Sequence, residues 1–195
     1  MTKVIFDISM SLDGFIAAPN DRPGDELGDG GQRLHAWLFD EASETGREVL
    51  NEVWNGAGAV ISGARTFDIC FDVWGGKPPA ELPWFVLSHD KPERLAKGKT
   101  AFNFVVNGVQ SAVAQARSAA GDRDVLVMGG ANAGQQCLQA GLVDEMQLHV
   151  VPVLLGGGVR LFEHIDTERI GLETTRVIDT PAATHLQYRV LHRPS

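Results

Sequence analysis

Short apolar runs alternate with amphipathic segments along most of the chain. Val4 to Met10 is apolar and rich in β-branched residues apart from Asp7 and Ser9, and this pattern predicts a strand near the centre of a sheet. Similar runs predict further strands over residues 57–62, 83–88, 102–106 and 125–128. Apolar positions recur at helical spacing between these runs and predict a helical turn at 34–38 and helices over about 43–54, 109–120 and 131–140.

The pattern changes in the last quarter of the chain. Glu145 to Leu155 predicts a strand that is interrupted by Pro152. Residues 170–178 and 184–191 alternate loosely with period two around a turn-like link, which predicts a β-hairpin. Strands that alternate with helices favour a mostly parallel sheet covered on both faces. We therefore predict one α/β domain over residues 1–195, with the antiparallel hairpin at one edge of its sheet.

Composition and charge exclude several classes of function. The 195 residues are 44% hydrophobic and 22% charged, as in globular proteins, and the net charge of −8 disfavours a nucleic-acid partner. Cys70 and Cys137 lie too far apart for a disulfide framework or a zinc motif and are expected to be small packing residues. The histidines show no metal-ligand spacing, so no metal is expected. A strand-like N-terminus and the lack of an apolar run of roughly 18 residues predict no signal peptide and no membrane span, and hence a cytoplasmic protein.

The ends of the predicted strands carry the candidate chemistry. Val125 to Met128 stops at Gly129 and Gly130, just before a helix. Glycine lets a ligand approach the backbone, and the free N–H groups of a helix start attract phosphate. Other predicted strands are followed by Asp13-Gly14, by residues 63–66 and by Ser88-His89. Ligands of open α/β sheets bind at the carboxyl ends of strands. The set favours one nucleotide-sized cleft, although turns without a ligand use the same residue types. The irregular segment 18–31 is either a lid or a surface excursion.

Five ordered segments resemble a known family. They are residues 9–16 (SMSLDGFI), 60–67 (VISGARTF), 86–89 (VLSH), 127–130 (VMGG) and 141–158 (GLVDEMQLHVVPVLLGGG). Together they resemble the dihydrofolate reductase fold, and most closely the reductase domain of bacterial riboflavin biosynthesis and its stand-alone relatives. The resemblance covers nearly the whole chain. It implies a three-layer dihydrofolate reductase-like fold and a reductase that uses NADPH, with NADH as the alternative, on a small pyrimidine- or pterin-like substrate.

The resemblance also implies which residues hold the cofactor. Expected at the nicotinamide, the phosphates and the adenosine are Ile8, Gly14, Ile16, Gly63, Ala64, Arg65, Thr66, Ser88, His89, Met128, Gly129, Gly130, Ala131, Asn132 and Ala133. The family commonly has arginine directly after the glycine of the second segment, where this chain has Ala64. Arg65, His89 or Lys91 is the expected substitute at the adenosine phosphate, because arginine in particular forms paired hydrogen bonds with phosphate.

The candidate catalytic and substrate-binding residues are fewer than the residues expected at the cofactor. Hydride transfer needs a proton donor near the acceptor ring, and Asp13 and Asp40 are the candidate acids. The alternative role of Asp13 is that of a turn residue, and the alternative role of Asp40 is that of a helix cap or a surface acid. Trp37, Phe39 and Gly157 are expected at the substrate, although Trp37 is equally suited to core packing. The alternatives to an enzyme are a nucleotide-binding protein without turnover and a structural subunit. Relatives suggest a homodimer built through the C-terminal strands.

Overall fold

The computed structural model describes residues 2–39, 43–78, 80–90 and 102–192. An eight-stranded sheet runs through the molecule in the order β5-β4-β3-β6-β1-β7-β10-β9. Its strands are β1 (Val4–Ser11), β3 (Ala57–Gly63), β4 (Trp84–Leu87), β5 (Phe102–Val105), β6 (Asp124–Val127), β7 (Glu145–Val151), β9 (Ile170–Asp179) and β10 (Thr184–His192). The strands from β5 to β7 are parallel, and β10 and β9 are antiparallel. The predicted α/β class and the C-terminal hairpin are confirmed.

Helices cover both faces of the sheet. They are α1 (Glu44–Gly56), α2 (Ala64–Cys70), α3 (Val109–Ala120) and α4 (Ala131–Gln139). α3 and α4 pack in one apolar cluster with Val4 and Phe6 of β1. α1 and α2 pack in a second cluster with Val60 and Trp84 on the opposite face. Helix α1 starts where expected because the hydroxyl of Ser43 accepts a hydrogen bond from the amide of Gly46 at 3.0 Å.

The alternation of side chains along β1 divides its two faces. Val4 and Phe6 are fully buried beneath α3 and α4. Ile5 points to the opposite face, where it packs with the second cluster. Because successive side chains of a strand point to opposite faces, Asp7 and Ser9 share the face of Ile5. Two polar side chains therefore lie on a central strand, on the face that α1 and α2 cover.

Two details differ from the predicted strands. The strand that begins at Glu145 ends at Val151 rather than Leu155, because Pro152 has no amide hydrogen for the ladder. A separate pair, β2 (Phe15–Ala17) and β8 (Val159–Arg160), was not predicted. Segments this short carry too little periodicity to be recognised in a sequence. The pair nevertheless fixes the chain that leads into segment 18–31.

Segment 18–31 closes on itself and then continues into a 3-10 helix, Gly31–Phe39. The amide of Ala18 donates to the carbonyl of Leu27 at 2.7 Å, and that of Asp29 donates to the carbonyl of Pro19 at 2.9 Å. A Cβ atom at Gly28 would lie 2.4 Å from the carbonyl oxygen of Pro19. This close approach requires glycine and holds the two ends of the loop together.

The two cysteines behave as packing residues, as predicted. Cys137 is buried between α4 and the sheet, whereas Cys70 is half-buried, and neither forms a disulfide. Burial raises the pKa of each thiol to about 12, so that neither is a ready nucleophile. Within the described ranges, none of the helices is both long and apolar enough to cross a membrane.

Candidate functional site

A cleft of about 750 Å³ lies at the carboxyl ends of β3, β4 and β6 and extends across the β1 face that carries Asp7 and Ser9. One part of its wall is made of strand ends and the start of α4. The other part is apolar and aromatic, and its members come from α1, α2 and the residues after α2: Leu50, Val53, Trp54, Ile69, Val73 and Trp74. A polar, glycine-lined region beside an apolar slot is the usual form of a cofactor site.

Nearly all residues expected at the cofactor line this cleft. They are Ile8, Ile16, Gly63, Ala64, Arg65, Thr66, Ser88, His89, Met128, Gly129, Gly130, Ala131, Asn132 and Ala133. Gly14 does not line it. Gly14 has a φ of 90° and donates its amide hydrogen to the carbonyl of Ser11 at 3.0 Å, so its place in the turn before β2 explains the glycine.

The junction between β6 and α4 leaves room for a ligand at the backbone. Gly129 and Gly130 have φ values of 79° and 87°, which L side chains rarely adopt. A Cβ at Gly129 would lie 2.5 Å from Cγ2 of Thr66. Gly130 provides no capping side chain for α4. The amide groups of the first turn of this nine-residue helix therefore lack a side-chain acceptor, which suits a phosphate group.

Arg65 lines the cleft, but its donors are engaged by a residue of segment 18–31. Nη2 lies 2.6 Å from Oδ1 of Asp21, and Nε lies 3.0 Å from Oδ2. Nη2 also lies 3.2 Å from the carbonyl oxygen of Asp21. The hydrogen bond with Asp21 raises the pKa of Arg65. The cation expected at a cofactor phosphate is thus neutralised by a carboxylate of the loop that borders the same cleft.

The structure gives Asp13 a different role from the predicted acid. Its carboxylate accepts hydrogen bonds from the hydroxyl of Ser11 at 2.7 Å, the amide of Gly156 at 2.7 Å and the amide of Leu155 at 3.1 Å. These bonds, with Ser11 first, lower the pKa of Asp13 to about 2. Asp13 is absent from the lining of the cleft. Its geometry is that of an anchor between two loops, and a proton-donor role for Asp13 stays an untested prediction.

Some of the residues expected at the substrate line the cleft and others do not. Trp37 and Phe39 line the cleft, but Trp37 is buried and donates from Nε1 to the hydroxyl of Ser9 at 3.0 Å, while Phe39 is 78% exposed. Gly157 is absent from the lining and packs near Pro19. Asp40 and Lys91 lie outside the described residues.

A hydrogen-bonded chain of three side chains on the sheet was not predicted from the sequence. Oδ2 of Asp7 lies 3.0 Å from Nε2 of His149, and Nδ1 of His149 lies 2.7 Å from Nδ1 of His185. Asp7 and His149 line the cleft, and His185 lies behind them, 2% exposed. The available signal was Asp7, a charged residue within an apolar central strand. Its partners come from β7 and β10, and only the strand register, which places His149 opposite His185, reveals them.

Trp37 packs over the two imidazoles. Its ring centroid lies 4.4 Å from that of His149 and 4.9 Å from that of His185. Desolvation lowers the pKa of His185 to about 4, and His149 contributes in the same direction. Among the described residues, no group of three histidine, cysteine, aspartate or glutamate side chains has the arrangement of a metal site. The geometry is therefore that of a proton-sharing chain at the wall of a cleft.

Comparisons with known proteins agree with this architecture. Residues 2–186 match the family described as the RibD C-terminal domain. A putative riboflavin biosynthesis protein from Shewanella sp. PV-4 has a TM-score of 0.76 at 24% identity, over 98% of this chain and 100% of that chain. A Thermotoga maritima protein, diaminohydroxyphosphoribosylaminopyrimidine deaminase/5-amino-6-(5-phosphoribosylamino)uracil reductase, has a TM-score of 0.62 at 16% identity, over 96% of this chain and 56% of that chain.

Dihydrofolate reductase from Enterococcus faecalis, complexed with NADP(H) and RAB-propyl, also has a TM-score of 0.62, at 14% identity over 96% of each chain. At such identities these structures establish a common fold, which confirms the predicted dihydrofolate reductase-like architecture. The family match covers almost the whole chain. The chain therefore belongs to the RibD C-terminal domain family.

Proposed function

We propose that the protein is an NAD(P)H-dependent reductase that transfers a hydride to a small heterocycle of the pyrimidine or pterin type. The observation that carries this proposal is the shared cleft. A glycine-lined helix start, suited to a dinucleotide phosphate, opens into the same space as a slot walled by Trp37, Trp54 and Trp74. The names of the related Thermotoga uracil reductase and of the NADP(H)-bound dihydrofolate reductase support the same assignment.

In this proposal each side of the cleft has a separate task. The start of α4 and the turn at Gly129 and Gly130 hold the cofactor phosphates through backbone amide groups. Ile8 and Ile16 border the nicotinamide and exclude water from it. A reduced nicotinamide, when bound, supplies the hydride. The aromatic slot orients a flat acceptor ring, since catalysis by a cofactor enzyme depends on holding the reacting atoms in contact.

The choice between NADPH and NADH depends on Arg65. Ala64 stands where the family commonly has an arginine for the adenosine phosphate, and Arg65 is the neighbouring cation. We propose NADPH as the cofactor, with Arg65 released from Asp21 to contact the phosphate. The side chain of Arg65 is 66% exposed and that of Asp21 is 14% exposed, so solvent screens the arginine side of the pair and lowers the free-energy cost of its release.

Calorimetric titration with NADPH and NADH tests the proposal. We expect saturable binding of NADPH at one site per chain, and thermal stabilisation that grows with cofactor concentration. NADPH oxidation is then followed with 7,8-dihydrofolate, 7,8-dihydrobiopterin and ribosylated aminouracils as acceptors. Binding without oxidation in the presence of any acceptor would favour the alternative, a nucleotide-binding protein without turnover. Lack of binding by both cofactors would exclude the reductase and the nucleotide-binding alternative together.

The expected homodimer remains part of the proposal. Strand β9 lies at the edge of the sheet, and Leu172 and Val177 on it are exposed. An exposed edge strand with apolar side chains is suited to pairing with a second copy. Light scattering on the purified protein should give twice the mass of one chain. Replacing Val177 by lysine should shift the mass towards the monomer, whereas a monomeric wild-type protein would exclude the dimer.

A further inference from the structure

The protonation of the Asp7–His149–His185 chain follows from its hydrogen bonds. An ionised carboxylate can only accept, so Nε2 of His149, 3.0 Å from Asp7, carries the proton. If His149 is neutral, its Nδ1 is a lone pair, and Nδ1 of His185 must donate across the 2.7 Å contact. Nε2 of His185 is then a bare lone pair. This arrangement is consistent with its burial without a partner, since an unpaired buried acceptor is more readily tolerated than an unpaired donor.

This assignment makes His185 the residue that fixes the other two. A neutral His185 donates its only ring N–H to Nδ1 of His149, and this hydrogen bond holds His149 in the tautomer that donates to Asp7. Trp37 packs on both rings and restricts their rotation. A carboxylate held by a donor whose tautomer is fixed by a third group is a recurrent way of presenting a charge in an active site.

Asp7 is the member of the chain that faces the cleft. Its side chain is 17% exposed, whereas that of His149 is 3% exposed. Val127, at the end of the adjacent strand β6, and Met128, directly after it, are uncharged. The titratable groups that line the same cleft from the loop and the 3-10 helix are Asp21, Glu26 and His35, and Asp21 is paired with Arg65. Burial lowers the pKa of His35 despite the opposing effect of Glu26. A carboxylate in an apolar slot of this kind attracts a cationic partner.

We propose that Asp7, positioned by His149 and His185, is the anionic site of the cleft that binds the heterocycle with one ring nitrogen protonated. A neutral ring takes up one proton from solvent, and the resulting cation lies against the carboxylate of Asp7. Through the proposed reductase activity, on which the catalytic part rests, hydride addition to the adjacent carbon then consumes that charge and leaves a neutral amine. The proton and the hydride together account for reduction of one C=N bond.

The test uses 2,4-diaminopteridine, a flat base whose ultraviolet spectrum changes when a ring nitrogen is protonated. Difference spectra from pH 5 to 9 give the pKa of the bound probe. For the wild-type protein we expect a value at least one unit above that of the free probe, equivalent to a tenfold preference for the cation. Asp7→Asn should return the value to that of the free probe. Glu26→Gln, which removes another carboxylate of the cleft, should leave the value raised.

Two variants of His185 separate positioning from packing. Asn presents an amide N–H near the place of Nδ1, so His185→Asn should keep the raised pKa of the probe. His185→Phe fills the site without a donor and should lose part of the shift, while circular dichroism confirms that each variant is folded. A wild-type probe pKa equal to the free value, a raised value that survives in Asp7→Asn, or lack of probe binding would overturn the proposal. Equal shifts in wild type and His185→Phe would overturn the positioning role.

NADPH titration of the same samples separates this inference from the proposed function. Binding of NADPH together with a probe that stays neutral would reject the role of Asp7 and leave the reductase assignment standing. A protonated probe in a protein that binds neither NADPH nor NADH would support the cation-binding role of Asp7 and reject the reductase. Asp7→Asn should bind NADPH as tightly as wild type, because Asp7 acts on the heterocycle.

Discussion

The guanidinium of Arg65 and the carboxylate of Asp21 form a two-point ion pair across the border of the cleft, with N–O distances of 2.6 and 3.0 Å. Asp21 belongs to segment 18–31, whose ends are tied together by their own backbone hydrogen bonds. The geometry by which arginine binds a carboxylate is also the one by which it binds phosphate. A phosphate that approaches Arg65 must therefore compete with Asp21.

Removing the charge of Asp21 should strengthen NADPH binding. Asp21→Asn leaves a neutral competitor at Arg65, and exposed pairs of this type contribute up to ~1 kcal/mol, so we expect affinity to rise about two- to fivefold. Arg65→Ala should lower it. Calorimetry at two salt concentrations measures both effects, and the gain should shrink at high salt because the Arg65 side of the pair is exposed to solvent ions.

Asp25→Asn is the matched control for this comparison. Asp25 lies in the same segment and pairs with Arg22 at 2.8 Å, not with Arg65. Its replacement should leave NADPH affinity unchanged. Comparable gains in both variants would mean that loosening of the loop, rather than release of Arg65, controls binding. NADH measured in parallel shows whether Arg65 contacts the additional phosphate of NADPH or one that both cofactors share.

A methyl group at Gly129 should block the cofactor. The Cβ of Gly129→Ala would lie 2.5 Å from Thr66 and would force that side chain towards the start of α4. We expect NADPH affinity to fall about tenfold or more. Gly121→Ala is the control, because Gly121 also has a positive φ, of 65°, but has open space around its Cβ position. Equal losses of affinity would show that backbone strain, and not the crowded turn, is responsible.

Gly134 should be intolerant of alanine for reasons of packing alone. The Cβ would lie 2.0 Å from Cζ of Phe6, in the buried cluster between α4 and the sheet. Overpacking of this kind costs about 1–3 kcal/mol, measurable as the free energy of unfolding in urea. Gly56→Ala, with nothing within 4 Å, should be close to neutral. The double variant with Phe6→Leu should recover part of the loss, and strictly additive effects would contradict the proposed contact.

The anchoring role of Asp13 predicts an acid-dependent loss of stability. The hydrogen bonds that Asp13 accepts lower its pKa from 3.8 to about 2. Its contribution is therefore complete above pH 4 and is lost as pH falls towards 2. Asp13→Asn should lower Tm at pH 7, and its difference from wild type should narrow through that window. A difference independent of pH would show that the ionised carboxylate is not what stabilises the two loops.

His185 predicts a second pH effect in a different window. Its pKa falls from the ordinary 6.5 to about 4 in the folded protein. Between these values the unfolded state binds more protons, so stability falls as pH is lowered from 6.5 to 4, by at most about 1.4 kcal/mol per unit of pH. His185→Asn should flatten the free energy of unfolding across this range.

Local pattern was enough to predict the framework and to bring the expected strand-end residues to one cleft. β1 and β3 to β6, α3 and α4 begin and end close to the predicted residues because each has an apolar run bounded by glycine or a polar turn. In a parallel sheet the carboxyl ends of neighbouring strands meet at one edge. Gly63, Ser88 and Gly129, which are distant in sequence, were therefore expected in one cleft and lie there.

Local pattern left two roles open where a side chain had two uses. Asp13 in an Asp-Gly turn is compatible with an exposed acid or with an anchor. The choice depends on residues 155 and 156, which pack against it from the far end of the chain. The role of Trp37 was similarly open between a substrate wall and the core. Trp37 is buried and lines the cleft, and its indole bonds Ser9 while its ring packs on His149.

The sequence by itself determined the alternation of elements, the glycine turns and the family, because periodicity and turn chemistry are properties of neighbouring residues. Tertiary structure alone decided the Asp7–His149–His185 chain and the Arg65–Asp21 pair. Each joins elements separated by many residues, and each depends on strand register or on the path of a loop. A shift of one residue in the register of β7 would turn His149 to the opposite face of the sheet and would separate it from both partners.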